Sequence, residues 1–372
     1  MTQILSFCLM GFLNTVAGLV VLLAGASSEE RVLPELGLGR LLITGAVVLG
    51  ATMLEALVLS TWFLDGFGLL QLLWVDLSVV VPVCGAMLLY THGRELRASG
   101  AARTVALCSL AMLPIAIHAR WIEPYDLRVE RVTVELSRTA EGREPVVVGV
   151  LADLEAVAVG DHERAAVAKV MNEHPDVILV AGDVFQSGAS RASAPVAEMR
   201  DLFDRLWAPG GVWVVPGDPG EVDLLREVVL GTHARLLEDE VTRIRVGERR
   251  LTLLGLAESE ESSRALFEFE DMPGDDDIRL VLSHMPRAVM ALRQDSRVDL
   301  VVAGHTHGGQ VVLPLVGPPI VLSPLPRTIA AGGLHRYNGN GIYVSRGLGV
   351  ERRQAPPIRF MCPPEVTLLT LQ

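Results

Sequence analysis

The chain has 372 residues, of which 50% are hydrophobic and 20% charged, and its mean hydropathy is +0.39. This composition excludes a disordered or collagen-like chain and points to membrane segments. The net charge of −12 argues against a nucleic-acid-binding protein, because phosphate contacts need Lys and Arg. The four cysteines form no CxxC pair, so neither a disulfide framework nor a cysteine zinc site is indicated.

Residues 1–120 are predicted to form a transmembrane region of about four helices. The apolar stretches are Ile4–Gly25, Leu41–Leu64, Gly66–Tyr90 and Ala102–Ile117. The first three are long enough to cross a hydrocarbon core of about 30 Å, and the fourth is marginal but nearly uncharged. Two alternatives to a transmembrane region stay open. In the first, the stretches form buried helices of a soluble protein. In the second, the first stretch is a signal peptide cleaved near Ala24-Gly25-Ala26.

Arginine placement predicts the orientation in the membrane. The arginines of the first and third connections are Arg31, Arg40, Arg94, Arg97 and Arg103. The positive-inside rule places these connections in the cytoplasm and the large C-terminal domain outside it. A cleaved first helix would reverse that orientation. We therefore expect a multi-pass protein of the cell membrane with an extracytoplasmic domain.

Two acidic residues, Glu55 and Asp76, lie inside predicted spans. Acidic residues inside a membrane are functional candidates by default, and they would be the basis of a small four-helix transporter. No intramembrane Lys or Arg offers them a partner. A protonated acid that aids helix packing is therefore the favoured interpretation.

From Trp121 the pattern predicts an α/β unit, with residues 121–145 as linker and first strand and residues 146–372 as one domain. Short runs of Val, Ile and Leu alternate with helix-like segments, as in sheets buried on both faces. The predicted strands are Leu127–Leu136, Val146–Leu151, Val177–Val180, Val212–Val215, Leu280–Leu282 and Leu300–Val302. The predicted helices are Glu163–Glu173, Ala194–Leu206, Glu221–Leu230 and Arg287–Arg293.

Asp or His stands just beyond the end of five buried strands. The residues are Asp153, Asp183, Asp218, His284 and the pair His305 and His307. One such residue alone is usually a turn or a helix cap. Since α/β sheets bind ligands at the carboxyl ends of their strands, the whole set indicates a site. Asp and His together suit divalent Mn, Fe or Zn, and two adjacent ions can clamp a phosphoryl group.

These segments resemble the calcineurin-like metallophosphoesterase family over residues 146–372. The matching motifs are Ala152-Asp153-Leu154-Glu155, Ala181-Gly182-Asp183, Pro216-Gly217-Asp218-Pro219, Leu282-Ser283-His284 and Gly304-His305-Thr306-His307-Gly308-Gly309-Gln310. The tail from Tyr343 to Gly349 and the segment Trp121–Pro124 are similar to a membrane-anchored branch that includes UDP-2,3-diacylglucosamine pyrophosphatase-like members. The resemblance implies an αββα sandwich that follows the four-helix transmembrane region.

The resemblance also implies two divalent metal ions, whose identity among Mn, Mg, Fe and Zn stays open. The implied ligands are Asp153, Glu155 and His307 for one ion, Asp218, His284 and His305 for the other, and Asp183 for both. Asp183, His305 and His307 are the implied catalytic residues, and a hydroxide that bridges the ions is the implied nucleophile. Arg346 is a candidate contact for a substrate phosphate, although a structural role fits it equally well.

Three positions depart from the family pattern. Glu155 replaces a His, Asp218 replaces an Asn, and Pro219 replaces the His that assists the leaving group or steadies the phosphate. The added negative charge favours harder ions such as Mg or Mn over Zn. Pro219 has no proton to offer, and loss of a positioned acid costs about 10²–10⁴-fold in rate. His162 and His233 are the candidates that would compensate.

Two functions follow from this pattern. The first is a membrane-anchored, metal-dependent phosphoesterase or pyrophosphatase acting on a phosphorylated or nucleotide-linked substrate, lipid-linked ones included. The second is a catalytically impaired relative with a binding or scaffolding role. Both altered ligand positions became carboxylates, which still bind metals, so the sequence favours the first. It does not predict the oligomeric state.

Overall fold

The computed structural model describes residue 50 and residues 68–96, 100–136, 144–186, 188–190, 193–273, 277–352 and 355–372. The chain divides into two compact units, Met1–Arg120 with Arg352–Pro357, and Trp121–Glu351 with Ile358–Gln372. The predicted spans Ile4–Gly25 and Leu41–Leu64, together with Glu55, lie outside the described residues.

The described part of the first unit is helical. Helix α1 (Gly68–Val75) continues through a π-helical turn, Asp76–Val80, into α2 (Val81–Leu96), and α3 (Gly100–Ile117) follows. A π-helical turn, His118–Ile122, and a 3-10 turn, Glu123–Tyr125, extend α3. Among the described residues one helical stretch, Ala106–Tyr125, is long and apolar enough to cross a membrane. Only 22% of its most apolar stretch is buried. The described residues thus contain one candidate span, where the sequence predicted about four.

The second unit contains two six-stranded mixed sheets within its described residues. The first has the order β1-β12-β2-β3-β4-β5 and the second the order β10-β11-β9-β8-β7-β6. The strands of the first sheet are β1 (Arg128–Val134), β2 (Val146–Leu151), β3 (Val177–Ala181), β4 (Val212–Val215), β5 (Ala234–Leu236) and β12 (Glu365–Leu371). Those of the second sheet are β6 (Glu240–Val246), β7 (Arg249–Gly255), β8 (Ile278–Leu282), β9 (Leu300–Ala303), β10 (Gly333–Tyr337) and β11 (Asn340–Val344).

The two sheets pack face to face. Val148 and Leu179 of the first sheet share a buried cluster with Leu253, Leu280 and Tyr343 of the second. The outer face of the first sheet packs against α4 (Asp161–Asn172), α5 (Val196–Phe203) and α6 (Val222–Val229). The outer face of the second packs against α7 (Ser262–Asp271), α8 (Ala288–Ala291) and α9 (Arg327–Ala330). The predicted α/β sandwich is confirmed in these four layers.

Burial on both faces explains why the central strands are apolar, with Arg279 of β8 as an exception. Every residue of β3, β4, β8 and β9 is buried, since one side of each strand meets the opposite sheet and the other meets helices. Strands β2, β3 and β4 are parallel, and so are β8 and β9. Their carboxyl ends therefore meet at one edge of each sheet, which is the edge where α/β proteins bind ligands.

Candidate metal centre

The residues at these strand ends have an unusual backbone. The φ angles are 48° for Asp153, 51° for Glu155, 47° for Asp183, 73° for His305 and 49° for His307. Side chains other than Gly rarely adopt this left-handed conformation, which costs on the order of 1–3 kcal/mol per residue. Strain of this kind persists only where the surrounding structure imposes it. Its concentration on five predicted ligands marks this edge of the sandwich as a functional site.

The first group of side chains joins the two sheets. Asp153, Asp183 and His284 offer ligand atoms that all lie within 4.8 Å of one another. His284 Nε2 lies 3.2 Å from Asp183 Oδ2, and its Nδ1 lies 2.9 Å from the carbonyl oxygen of Ala181. A ring that donates through Nδ1 leaves Nε2 free to bind a metal. His305 completes the group, because its Nδ1 is 3.2 Å from His284 Nε2 and its backbone N–H donates to Asp153 Oδ1 at 2.8 Å.

A second group consists of Glu155 and His307. His307 Nε2 lies 3.5 Å from Glu155 Oε1, and both side chains are buried. The backbone N–H of Glu155 donates to the carbonyl oxygen of Asp183 at 2.9 Å, and the Asp183 carboxylate lies with Asp153 and His284. Asp183 is therefore next to both groups.

The donor set fits divalent metal ions. Among the described residues, buried Asp153 Oδ2 and His307 Nδ1 have no hydrogen-bond partner. A buried polar atom without a partner costs about 1–3 kcal/mol. Carboxylate oxygens and imidazole nitrogens bind Mn, Fe, Zn or Mg, and an ion would satisfy both atoms.

Glycine leaves space around these carboxylates. A Cβ added to Gly217 would lie 1.7 Å from Asp183 Oδ1, and one added to Gly347 would lie 2.7 Å from Asp153 Oδ2. Any larger residue at either position would displace the carboxylate. The motif glycines are thus needed for close approach of the backbone to the site.

Burial controls the protonation of the acids. Burial, followed by the charge of Asp183, raises the pKa of Glu155 to about 10. Burial raises the pKa of Asp153 to about 7. Burial also acts to raise the pKa of Asp183, but the charge of His284 and its hydrogen bond lower it below its usual value. Without bound ions, Asp183 is the carboxylate that stays ionised at neutral pH.

The histidines of the site also differ in their pKa values. Burial acts to lower the pKa of His284, but the charge of Asp183 and their hydrogen bond raise it to about 10. Burial and the charge of His284 lower the pKa of His305 to about 4. Burial and the charge of Arg359 lower the pKa of His307 to about 3. His305 and His307 are therefore neutral at physiological pH, the form in which imidazole binds metals.

Asp218 does not join these groups. It is exposed, and its Oδ1 accepts a hydrogen bond from the backbone N–H of Glu221 at 3.1 Å, across the turn that precedes α6. Glu221 points inward instead. Its buried carboxylate accepts hydrogen bonds from the backbone N–H groups of Phe185 and Gly217 at 2.9 and 2.8 Å. It thereby ties the Asp183 loop to the Gly217 loop.

Sequence reasoning missed Glu221 because an acid at the start of a helix is ordinary. Burial, followed by the charge of Asp183, raises its pKa to about 7. The only available signal was the helix start itself, four residues after Gly217. That spacing lets the side chain fold back onto the preceding loop.

Two arginines lie beside the site. Arg346 forms ion pairs with Glu365 and Glu130, so the geometry favours its structural role over a phosphate contact. Arg359 is fully buried and donates to the carbonyl oxygens of Gly347 and Gly349 at 3.2 and 2.7 Å. It fixes the loop that packs on Asp153, and the sequence did not indicate this role.

The two histidines considered as substitutes lie elsewhere. His162 Nε2 contacts the carbonyl oxygen of Leu348 at 3.0 Å, and its ring packs edge-on against Tyr125. His233 is exposed on the loop before β5. Pro219 itself is exposed beside Asp218.

Comparison with known proteins agrees with this geometry. The chain is 30% identical over 215 residues to the phosphodiesterase YaeI of Escherichia coli, a match that covers 55% of this chain and 74% of that protein. The chain belongs to the calcineurin-like metallophosphoesterase family. No family model matches its sequence.

Two further metallophosphoesterases are similar over most of the chain. An uncharacterized metallophosphoesterase of Aquifex aeolicus is 27% identical over 262 residues, which cover 68% of this chain and 94% of that protein. A transmembrane protein with a metallophosphoesterase domain from Danio rerio is 24% identical over 298 residues, which cover 75% of this chain and 65% of that protein.

Asp183→Asn is expected to abolish most metal binding by the full chain, because it removes the carboxylate next to both groups. Asp218→Asn is the matched control and should retain the parent metal content, since Asp218 lies outside both groups and the Asn oxygen can accept the same hydrogen bond from Glu221. Elemental analysis of the purified proteins measures the difference. Equal loss of metal in the two variants would return Asp218 to the ligand set.

Metal-induced stabilisation should increase as the pH rises from about 6 to about 8, because ligands must lose their protons to bind. Folding raises the pKa of Glu155 from 4.5 to about 10 and that of His284 from 6.5 to about 10. The metal-free folded state therefore holds more protons than the unfolded state in this range, and its stability falls as the pH rises.

The check is the difference in melting temperature of the full chain with Mn²⁺ and with a chelator at each pH. Glu155→Gln serves as the control, because it removes one titrating ligand and should flatten the trend. A difference that is the same at every pH would contradict the protonation states described above.

Proposed function

We propose that this chain is a membrane-anchored, metal-dependent phosphoesterase that hydrolyses phosphodiesters or phosphoanhydrides. The observation that carries the proposal is the convergence of Asp153, Asp183, His284 and His305 from two sheets, with Glu155 and His307 beside them. The name of the Escherichia coli relative, a phosphodiesterase, supports the same reaction class.

We assign two ions to the site. Asp153, Glu155 and His307 would hold one, His284 and His305 the other, and Asp183 both. When bound, divalent ions would polarise a phosphoryl oxygen and lower the pKa of a water molecule near it. The high proportion of carboxylates favours Mg or Mn.

The protein's own residues keep this centre rigid. Glu221 fixes the two loops that carry Asp183 and Gly217. The carbonyl of Ala181 orients His284, and Arg359 holds the loop against Asp153. A site fixed before substrate arrives avoids reorganisation during the reaction.

Membrane anchoring is supported by the helix Ala106–Tyr125, whose apolar side chains Leu113 and Ile117 are exposed. Trp121 and Tyr125 at its end are also exposed, as in the aromatic belt of a membrane interface. The Danio rerio relative is named as a transmembrane protein. We propose residues 1–120 as a multi-pass membrane region and residues 146–372 as the phosphoesterase domain, on the extracytoplasmic side by the arginine distribution.

Pro219 restricts the substrate. It cannot protonate a leaving group, and Asp218 beside it is exposed to solvent. Substrates whose leaving groups are stable as anions avoid this need. Phosphoanhydrides and aryl esters meet that condition, and alkyl esters do not. Pro219 therefore supports a pyrophosphatase activity, with UDP-linked lipid precursors as one substrate of that class.

The first test is metal-dependent hydrolysis by the full chain in detergent of bis-p-nitrophenyl phosphate and of a UDP-linked pyrophosphate. Turnover should require Mn²⁺ or Mg²⁺ and should disappear with Asp183→Asn. Asp218→Asn should retain it. Bound metal without turnover above the Asp183→Asn background would favour the impaired relative with a binding role.

The second test is a series of aryl phosphodiesters with increasing leaving-group pKa. The rate should fall steeply along the series, since Pro219 cannot supply a proton to the leaving group. The double variant Asp218→Asn, Pro219→His restores the family motif and should accelerate the poorest leaving groups by up to about 10²-fold. Parent rates that do not depend on the leaving group would contradict the role given to Pro219.

A further inference from the structure

The segment after the last histidine motif is strongly apolar. Val311–Pro326, which we call the apolar loop, contains no charged residue and no His, and its only hydroxyl side chain is Ser323. Its exposed large apolar residues are Leu313, Leu315, Val316, Ile320 and Leu322. Soluble surfaces rarely collect apolar side chains in one place without a partner.

The tip of the apolar loop is a tight turn that aims a leucine outward. The backbone N–H groups of Leu313 and Gly317 donate to each other's carbonyl oxygens at 3.0 and 2.9 Å. Leu315 lies between them with φ 66° and is completely exposed. A bulky side chain in the left-handed region is unfavourable, and no packing contact of the folded domain repays it here. The turn therefore presents Leu315 to something outside the domain.

The base of the apolar loop touches the metal centre. The backbone of Leu322 lies beside the ring of His305. Gly309 packs so closely that an added Cβ would lie 2.7 Å from Pro318 Cβ and 2.8 Å from the Ile320 carbonyl oxygen. A partner that binds the base of the apolar loop therefore lies next to the metal centre.

The backbone of the apolar loop suits a non-aqueous environment. Its prolines, Pro314, Pro318, Pro319, Pro324 and Pro326, have no N–H group to desolvate. The turn satisfies two further N–H groups internally, and unsatisfied donors are what makes irregular backbone costly in lipid. Arg327 directly follows the apolar loop and is exposed, so its positive charge is available to pair with an anionic lipid headgroup.

We propose that the apolar loop inserts into the interfacial layer of a bilayer and presents the headgroup phosphate of an amphiphilic substrate to the metal centre. This inference rests on the proposed phosphoesterase function. We assign a bilayer as the partner of the apolar loop because the candidate span ends at Tyr125 and β1 begins at Arg128, so the span would tether the domain to a membrane. Tethering raises the effective concentration of lipid at an exposed apolar loop.

Insertion is tested with the full chain in nanodiscs of phosphatidylethanolamine and phosphatidylglycerol, with and without brominated acyl chains. Leu315→Trp adds a fluorophore at the tip of the apolar loop. Leu230→Trp is the matched control, because Leu230 is 70% exposed but follows α6. After subtraction of the parent emission, brominated lipid should quench the added emission of Leu315→Trp and not that of Leu230→Trp.

Substrate presentation is tested by the ratio of two rates, hydrolysis of a phosphate compound carried by nanodisc lipid and hydrolysis of soluble bis-p-nitrophenyl phosphate. Leu315→Asp should lower this ratio at least about tenfold, because a charge opposes insertion. Leu230→Asp should leave the ratio at its parent value.

The outcomes separate the two proposals. Absence of quenching for Leu315→Trp overturns insertion even if soluble substrate is hydrolysed. Self-association that Leu315→Asp disrupts, with no quenching, assigns the loop to a second copy and also overturns it. Quenching together with absence of all metal-dependent hydrolysis supports insertion and refutes the phosphoesterase function.

Discussion

The contact between Asp183 and His284 is the interaction on which the site depends. Asp183 follows β3 of one sheet and His284 follows β8 of the other, and the partly exposed Asp183 side chain meets the buried His284 ring at 3.2 Å. Burying a single charge would be costly, but each partner compensates the other. The pair raises the pKa of His284 and lowers that of Asp183. It therefore keeps one ionised carboxylate at the centre of a group of buried acids.

The acids around this pair destabilise the metal-free folded state. Asp153 and Glu155 are buried close to Asp183, and burial raises the pKa of both. The left-handed backbone at these residues adds strain. A core selected only for stability would contain neither feature. Bound cations remove the repulsion among the carboxylates, so the same features that destabilise the empty site favour its occupation.

The altered family motif separates two acids that are close in the sequence. Asp218 stands in the motif position but is exposed and bonds to the turn before α6, whereas Glu221 three residues later enters the interior and joins two loops. The ion that His284 and His305 would hold therefore has fewer protein donors than the sequence implied. Pro219 offers no proton, which is why we connect this position to the choice of leaving group.

The sequence by itself determined the α/β class, the strands β1, β2, β3, β4, β8 and β9, and the polar residues that follow the buried strands. Apolar runs such as Val146–Leu151 and Val212–Val215 have the bounds that were predicted, because strands buried on both faces are mostly apolar. It did not indicate the edge strands β5, β6 and β10, or the interior strands β7, β11 and β12, in which polar residues such as Thr252 and Thr367 interrupt the apolar pattern.

Only the tertiary structure decided which polar residues face the site. Asp218 and Glu221 are both acids near a helix start, and their sequence environments do not distinguish them. Which one turns inward depends on the approach of the Phe185 and Gly217 backbones, contacts made between different strands. The same is true of Arg359, whose partners come from a separate loop, and of the apolar loop, whose position beside His305 arises from chain folding. The local sequence pattern predicts the element in which a residue lies, whereas contacts between distant segments determine which groups its side chain meets.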